Sequence, residues 1–381
     1  MADRNAKGLG NQRAVARIDL AALSHNAGEI RRLTRPDVQL CAVVKADAYG
    51  HGAVAVARHL MRCGVDVLAV ASVEEASQLR DAGIRSKILV FGDLTGSETT
   101  EAIRLGLTAT LGSMDATRIL REAVSPDQTM RVHLKIDTGM RRIGFSPGEL
   151  GQLAKLLDGS GIVIAGAYSH LAHGDSPGHA SLAEQRTALF DACQTLSEAG
   201  LAIPMRHLAG SAGLFSAPET HLDMVRTGIA LYGGLPHPSY ASQVSLKPVM
   251  EVLTRVVQIR KVQAGDGIGY GHTWRAPRDS RIAVLPVGYG QGYLRSLSNR
   301  GYTMVRGRLA PVVGTVSMDQ TMIDITAAGS VKPGDEVTLW GGPQEGAPDV
   351  MELAERAGTI GYELLTRVGN SIPRTYVEPF G

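Results

Sequence analysis

The stretch that decides the fold is QLCAVVKADAYGHGAVAVARHLMRCG, residues 39–64. It begins as a short apolar run typical of a buried parallel strand, turns through two glycines, and continues with the spacing of an amphipathic helix. This order predicts one β–α unit. The strand ends at Lys45, and a lysine at the end of a buried strand is a candidate for chemistry.

Seven similar apolar runs follow the first one, each leaving room for a helix before the next. They are residues 66–71, 87–92, 107–112, 130–137, 162–169, 204–210 and 223–228. Eight such units predict a (β/α)₈ TIM-type barrel rather than an open, doubly wound sheet. The sequence also lacks a GxGxxG motif and a P-loop, which disfavours a dinucleotide-binding domain.

The pattern changes after residue 245, where β-type runs alternate with Gly, Pro and Asp turns. We therefore predict a barrel domain over residues 13–246 and a mostly β domain over residues 247–381, with one late helix near 349–358. An early strand at 14–20 precedes the barrel and could pair with the C-terminal domain.

Composition excludes several classes of protein. The 381 residues are 44% hydrophobic and 20% charged, as in ordinary globular proteins. A net charge of +2 argues against a nucleic-acid-binding protein. Three scattered cysteines favour a reducing compartment over a disulfide framework or a zinc site, and neither a signal peptide nor a membrane span is recognisable. We therefore expect a cytoplasmic protein.

Polar residues at the predicted strand ends are the candidates for an active site, which in such barrels lies at that end. They are Lys45, Lys135 with Asp137, His170, Ser211, and Arg226 with Gly228. A desolvated Lys45 would have a lowered pKa and could attack a carbonyl to form a Schiff base. The alternative is a lysine that extends into solvent at the barrel rim.

Two glycine-containing turns follow the last two predicted strands, HLAGSAG at 207–213 and RTGIALYGG at 226–234. Backbone N–H groups and a hydroxyl at this place commonly bind phosphate, although such turns are also frequent without a ligand. Together with Lys45 they indicate a phosphorylated cofactor that needs an amine.

Other strand-end residues have ordinary structural alternatives. Lys135 and Asp137 alternate onto one face of a strand and could form a structural ion pair, and Arg226 could form a surface ion pair. The histidines in HLAHGDSPGH (170–179) match no metal-ligand spacing, so we expect no metal site.

Eight motifs occur in the order seen in bacterial alanine racemases, and the chain resembles that pyridoxal-phosphate family over residues 13–378. They are AVVKADAYGHG (42–52), KIDTGMRRIGF (135–145), HLAGSA (207–212), VRTGIALYGG (225–234), GIGYGHTW (267–274), VGYGQGY (287–293), VSMDQT (316–321) and TIGYELLTRV (359–368). The resemblance implies an enzyme that racemises alanine by a two-base mechanism and supplies D-alanine for peptidoglycan.

The resemblance also implies roles for individual residues. Lys45 would carry pyridoxal 5′-phosphate and act as one base, and Tyr270 would be the other. Arg226 would face the ring nitrogen, supported by His170. The phosphate would be held by Tyr49, Ser211, Tyr362 and the backbone of Gly228 and Ile229.

Substrate binding and assembly follow from the same resemblance. Arg142 and the backbone N–H of Met318 would bind the substrate carboxylate, and Lys135 matches a position that is carbamylated in several members. In this family four residues reach the site from the other subunit of a homodimer: here Tyr270, Tyr289, Met318 and Asp319.

Departures and alternatives accompany this interpretation. Gly210, Gln291 and Ser317 stand where many members have Asn, Asp and Cys.

A racemase for serine or for a broader set of amino acids is the nearest alternative, although Tyr362 and Met318 would crowd a larger side chain. A metal-assisted aldolase is less favoured. A non-catalytic pyridoxal-phosphate carrier would typically lack the second domain that holds Tyr270.

Overall fold

The computed structural model describes residues 9–125, 127–368 and 371–378. Strand β1 (Ala14–Asp19) comes first. Eight parallel strands then form the barrel: β2 (Gln39–Val43), β3 (Val67–Val70), β4 (Lys87–Val90), β5 (Thr108–Leu111), β6 (Met130–Lys135), β7 (Ile162–Tyr168), β8 (Arg206–His207) and β9 (Met224–Thr227). The predicted (β/α)₈ barrel is confirmed.

The strand order around the barrel is β8-β7-β6-β5-β4-β3-β2-β9. The remaining gap is bridged just beyond β8, where Gly210 pairs in parallel with Arg226. There the Arg226 N–H donates to the Ala209 carbonyl at 3.0 Å. The barrel therefore closes at the same segments that carry the two glycine-containing turns.

Helices surround the barrel, and their ends follow from local sequence. Ser72 caps one helix by accepting from the Glu75 N–H, and Thr95 with Glu98 forms a capping box on the next. The helices are α1 (Leu20–Leu33), α2 (Lys45–Tyr49), α3 (Ala53–Arg62), α4 (Val73–Asp81), α5 (Gly96–Arg104), α6 (Met114–Ala123), α7 (Leu150–Leu157), α8 (Ser181–Glu198) and α9 (Ser211–Ser216).

The C-terminal domain is mostly strands, as predicted. They are β10 (Met250–Arg255), β11 (Gln258–Val262), β12 (Gly267–Ile268), β13 (Trp274–Arg275), β14 (Ser280–Leu285), β15 (Tyr302–Val305), β16 (Arg308–Pro311), β17 (Thr321–Asp324), β18 (Glu336–Trp340) and β19 (Arg374–Val377). One sheet has the order β16-β15-β18-β10-β1-β19, and a second has the order β11-β14-β17.

The early strand β1 lies inside the first of these sheets. It pairs antiparallel with β10 and parallel with β19, so the first strand of the chain belongs to the C-terminal sheet. The predicted late helix is α10 (Val350–Ala357). The expectation of a single helix there was wrong, because α11 (Gly361–Thr366) follows directly and packs against α10.

No helix among the described residues has the length and apolar character needed to cross a membrane.

Candidate active site

The backbone directly after Lys45 is left-handed. Ala46, Asp47 and Ala48 have φ of 51°, 54° and 55°, and the positive values continue through Tyr49 to Gly50. Each non-glycine residue in this conformation costs about 1–2 kcal/mol, because the Cβ atom approaches the following carbonyl. The local sequence does not favour this turn, so the surrounding structure must impose it.

Glu75 and Asp47 supply part of that constraint. The Glu75 carboxylate accepts from the Ala46 N–H and from the Ala71 N–H, both at 2.7 Å. The Asp47 carboxylate accepts from the Ala53 N–H at 2.7 Å, which joins the turn to α3. These contacts fix the direction in which Lys45 leaves the strand end.

Burial lowers the pKa of Lys45, and the positive charge of Arg142 lowers it further against the opposing effect of Glu75. The residue is half-buried and directly follows Val44 at the carboxyl end of β2. A lysine with a lowered pKa has a larger neutral fraction and is a better nucleophile and base.

A phosphate-sized cradle lies beside this lysine turn. The Ser211 hydroxyl accepts from the Gly228 N–H at 3.0 Å and from the Ala230 N–H at 3.3 Å. The buried N–H of Ile229 between them has no acceptor among the described residues. A buried donor without a partner costs roughly 1–3 kcal/mol, so this N–H fits a bound anion.

Tyr49 and Tyr362 line the same cradle. Gly228 has no room for a side chain, because a Cβ there would overlap the Tyr49 hydroxyl. The rings of Tyr49 and Tyr362 are 6.0 Å apart. The structure thus brings together the five residues that the sequence assigns to a phosphate: Tyr49, Ser211, Gly228, Ile229 and Tyr362.

Arg226 is buried near the end of β9 and forms no ion pair within the described part of the chain. Its Nη2 donates to the carbonyls of Ser169 and Leu208 at 2.8 and 2.9 Å and approaches His170 Nδ1 at 3.3 Å. Its Nη1 donates to Nδ1 of His207 at 2.8 Å. The Nε–H has no acceptor among the described residues, which leaves it available to a ring nitrogen.

Desolvation and the charge of Arg226 lower the pKa of His170 to about 3. His170 is therefore neutral at physiological pH. Because the arginine can only donate, His170 must accept at Nδ1 and carry its proton on Nε2. It can then donate a hydrogen bond to a group on the opposite side from Arg226.

Two buried histidines in this network were not predicted from the sequence. His207 stacks on Tyr168, and its Nε2 lies 2.6 Å from Nδ1 of His133. The alternation that places Lys135 on the inner face of β6 places His133 there as well. That alternation is the signal that could have identified His133.

Lys135 is 3% exposed and does not pair with Asp137. The Asp137 carboxylate instead accepts from the backbone of Gly139 and Arg141. Burial, and the nearby charge of Arg226, lower the pKa of Lys135 to about 7. A buried lysine close to an arginine and without a carboxylate partner is an unusual arrangement.

Four further predicted residues lie in the C-terminal domain and are called here the tyrosine patch: Tyr270, Tyr289, Met318 and Asp319. Tyr270 is 74% exposed and Met318 is 56% exposed. The Met318 carbonyl accepts from the Gly290 N–H at 2.9 Å, and Gln291 donates to Asp319 at 3.3 Å. These contacts join the Met318–Asp319 segment to the turn at Tyr289 within the C-terminal domain.

The described residues contain no group of three or more His, Cys, Asp or Glu side chains arranged to hold a metal ion. His173 and His179 do stack on each other, with ring centroids 4.0 Å apart.

A lysine at the end of the first barrel strand, a buried arginine and the Ser211 turn after the last two strands define a barrel protein with its candidate active site at the carboxyl ends of the strands. Comparison with known families agrees. Residues 18–236 match the family model for the alanine racemase N-terminal domain, and residues 249–376 match the one for the alanine racemase C-terminal domain. The chain belongs to the alanine racemase family.

Individual relatives cover nearly the whole chain. An alanine racemase from Nostoc sp. is 40% identical over 372 residues, which is 96% of each protein. The crystal structure of the alanine racemase from D-cycloserine-producing Streptomyces lavendulae has a TM-score of 0.91 and 34% identity, covering 97% of this chain and 98% of that one. The crystal structure of the alanine racemase from Bacillus anthracis with bound L-Ala-P has a TM-score of 0.90 and 32% identity. The match covers 96% of this chain and 95% of that one.

Proposed function

We propose that the chain interconverts L-alanine and D-alanine with pyridoxal 5′-phosphate as cofactor. The observation that carries this proposal is the anion cradle with its unpartnered Ile229 N–H, next to the turn that presents Lys45. The relative with bound L-Ala-P supports an amino acid as substrate. When bound, the cofactor acidifies the Cα proton of an amino acid by delocalising the electrons left behind.

Lys45 would hold the cofactor and exchange the Cα proton on one face of the substrate. Its lowered pKa favours the neutral amine that this role requires. The Nε–H of Arg226 would face the ring nitrogen. Because the arginine remains protonated, that nitrogen would accept the hydrogen bond and stay unprotonated.

Tyr270 would exchange the proton on the opposite face. A phenol needs stabilisation of its phenolate to act near neutral pH. The proton on His170 Nε2, fixed there by Arg226, would donate to the Tyr270 oxygen and provide that stabilisation. In the single chain Tyr270 is exposed and belongs to the tyrosine patch.

The tyrosine patch would therefore complete the site of a second copy in a homodimer. Exposed Tyr270, Tyr289 and Met318 would be covered there, with Met318 offering its N–H to the substrate carboxylate beside Arg142. Asp319, which accepts a hydrogen bond from Gln291, would enter the same active site from this patch.

Carbamylation of Lys135 is part of the same proposal. The charges of Arg226 and Arg142 both disfavour a protonated amine at this buried position. A carbamate would replace the cation with an anion next to Arg142 and orient that guanidinium toward the substrate carboxylate.

We also propose a cytoplasmic role in supplying D-alanine for peptidoglycan, with a domain boundary between residues 246 and 247. Three free cysteines, of which only Cys63 is exposed, fit a reducing compartment. Restoration of growth without D-alanine in a bacterium lacking its racemases would test the role.

The direct test is incubation with L-alanine and the cofactor in D₂O, with Cα-proton loss followed by NMR and chirality by chromatography. We expect exchange together with conversion to a near-equal mixture of enantiomers. The Lys45→Ala variant is the control and should do neither. Exchange with retained chirality would contradict the two-base mechanism. Turnover of serine, but not alanine, would favour the serine racemase alternative.

A further inference from the structure

A cavity lies at the opposite end of the barrel from Lys45. It has a volume of about 50 Å³ and is lined by the first residues of several strands, among them Gln39, Lys87 and Thr108. That volume holds a few water molecules or one small oxyanion. This end of a TIM-type barrel does not normally carry the active site.

The charge lining this cavity is positive. Lys87 and Arg131 line it, and none of its lining residues is an acid. Among the described residues, neither cation forms an ion pair with a carboxylate. Both side chains are exposed, and they lie on β4 and β6, on either side of β5. Two cations at the rim of one concave surface attract an anion more strongly than separate surface charges do.

The floor of the cavity is His133, and the hydrogen-bond chain behind it fixes its protonation. Arg226 Nη1 can only donate, so Nδ1 of His207 accepts. Nε2 of His207 then carries the proton and donates to Nδ1 of His133. His133 must therefore carry its own proton on Nε2, which has no acceptor among the described residues.

Burial lowers the pKa of His133 to about 4, with smaller contributions from Arg226 and Arg131. The ring is therefore neutral, as the hydrogen-bond chain requires. An acceptor in the cavity would satisfy the free Nε2–H. The same acceptor would be attracted by Lys87 and Arg131.

We propose that this cavity, formed by Lys87, Arg131 and His133, binds a small oxyanion such as inorganic phosphate. The site is separate from the cofactor cradle and does not depend on the proposed racemase activity. The chain His133–His207–Arg226 joins the two ends of the barrel. A bound anion would therefore polarise the hydrogen bond that His207 accepts from Arg226.

The test is titration of the cofactor-loaded protein with inorganic phosphate, followed by calorimetry, with ionic strength held constant by a bulky sulfonate buffer. We expect saturable binding of one phosphate per chain. Arg131→Gln should weaken it at least tenfold. The matched control is Arg260→Gln, an exposed arginine on strand β11, which should bind as the unchanged protein does.

A second readout locates the anion. The ¹⁵N NMR signal of His133 should be that of a neutral ring protonated at Nε2, and phosphate should shift it in the unchanged protein and in Arg260→Gln. Equal phosphate affinity in Arg131→Gln and Arg260→Gln would mean that phosphate binds as an adventitious ion only. That result would overturn the proposal. A His133 signal that does not respond to phosphate would also overturn it.

Discussion

Arg374, in the last strand of the chain, forms an ion pair with Asp47, two residues after Lys45, at a distance of 2.8 Å. The same guanidinium donates from Nε to the Gly50 carbonyl at 2.7 Å. A residue of β19 thus secures the left-handed turn of the barrel. The C-terminal sheet therefore takes part in presenting Lys45.

Replacing Arg374 with Met should loosen this turn. The loss of the ion pair with Asp47 and of the hydrogen bonds to the Gly50 and Val368 carbonyls should cost at least about 2 kcal/mol of stability and speed amide exchange over residues 46–50. The control is Arg367→Met, which removes an exposed pair with Glu363 and should cost under about 1 kcal/mol. Equal exchange in the two variants would contradict the role of Arg374.

Ala46→Gly should be neutral or stabilising, by up to about 1 kcal/mol. Glycine avoids the steric cost of φ at 51°, which offsets its greater freedom in the unfolded chain. In the regular helix α3 the matched change Ala55→Gly should be destabilising by about 1 kcal/mol. The unfolding temperature should be unchanged or higher in Ala46→Gly and lower in Ala55→Gly. A similar decrease in both variants would contradict a strained turn.

In a carbonate-free buffer, Lys135 should make the free energy of unfolding increase with pH in the neutral to alkaline range. Its pKa is about 7 in the folded chain against an ordinary value of 10.5. Between these values the unfolded chain binds one more proton, so stability should rise with pH by about 1.4 kcal/mol per unit. Denaturant titrations should show this slope reduced in Lys135→Met. Identical slopes would mean that the amine is not titrating, as carbamylation would produce.

Complementation tests the shared site. Lys45→Ala and Tyr270→Phe should each abolish racemisation. In a refolded mixture of equal amounts, half of the dimers contain one copy of each variant. If the tyrosine patch serves the partner's barrel, each of these mixed dimers has one intact site. About a quarter of full activity should return. No recovery, with mixed dimers verified by mass spectrometry, would place both bases in one chain.

Much of the barrel was predictable because strand periodicity is a local property. Each apolar run of β2 to β9 is recognisable alone, and in most cases a glycine lies between it and the next helix. The helix α11 was missed because its six residues are too few to show a period. Residues 249–262 have one uninterrupted β-type pattern, yet β10 and β11 within them enter different sheets.

The site was predictable to a different extent. The strand ends and glycine-containing turns indicated the cradle, since strand order places them together. The left-handed turn was not predictable, because Ala46 and Ala48 do not favour positive φ and part of the constraint comes from the distant residues Glu75 and Arg374. The contact between His133 and His207 depends on side-chain packing inside the barrel, which spacing does not specify.

The position of β1 between β10 and β19 has a consequence for folding during synthesis. Residues 14–19 leave the ribosome before the barrel strands, but their two neighbours in the sheet are translated only after the whole barrel. The barrel strands, all within residues 39–227, can associate while β1 is still unpaired. The sheet around β1 can therefore be completed only once β19 has been translated, and the same strand brings Arg374 to Asp47.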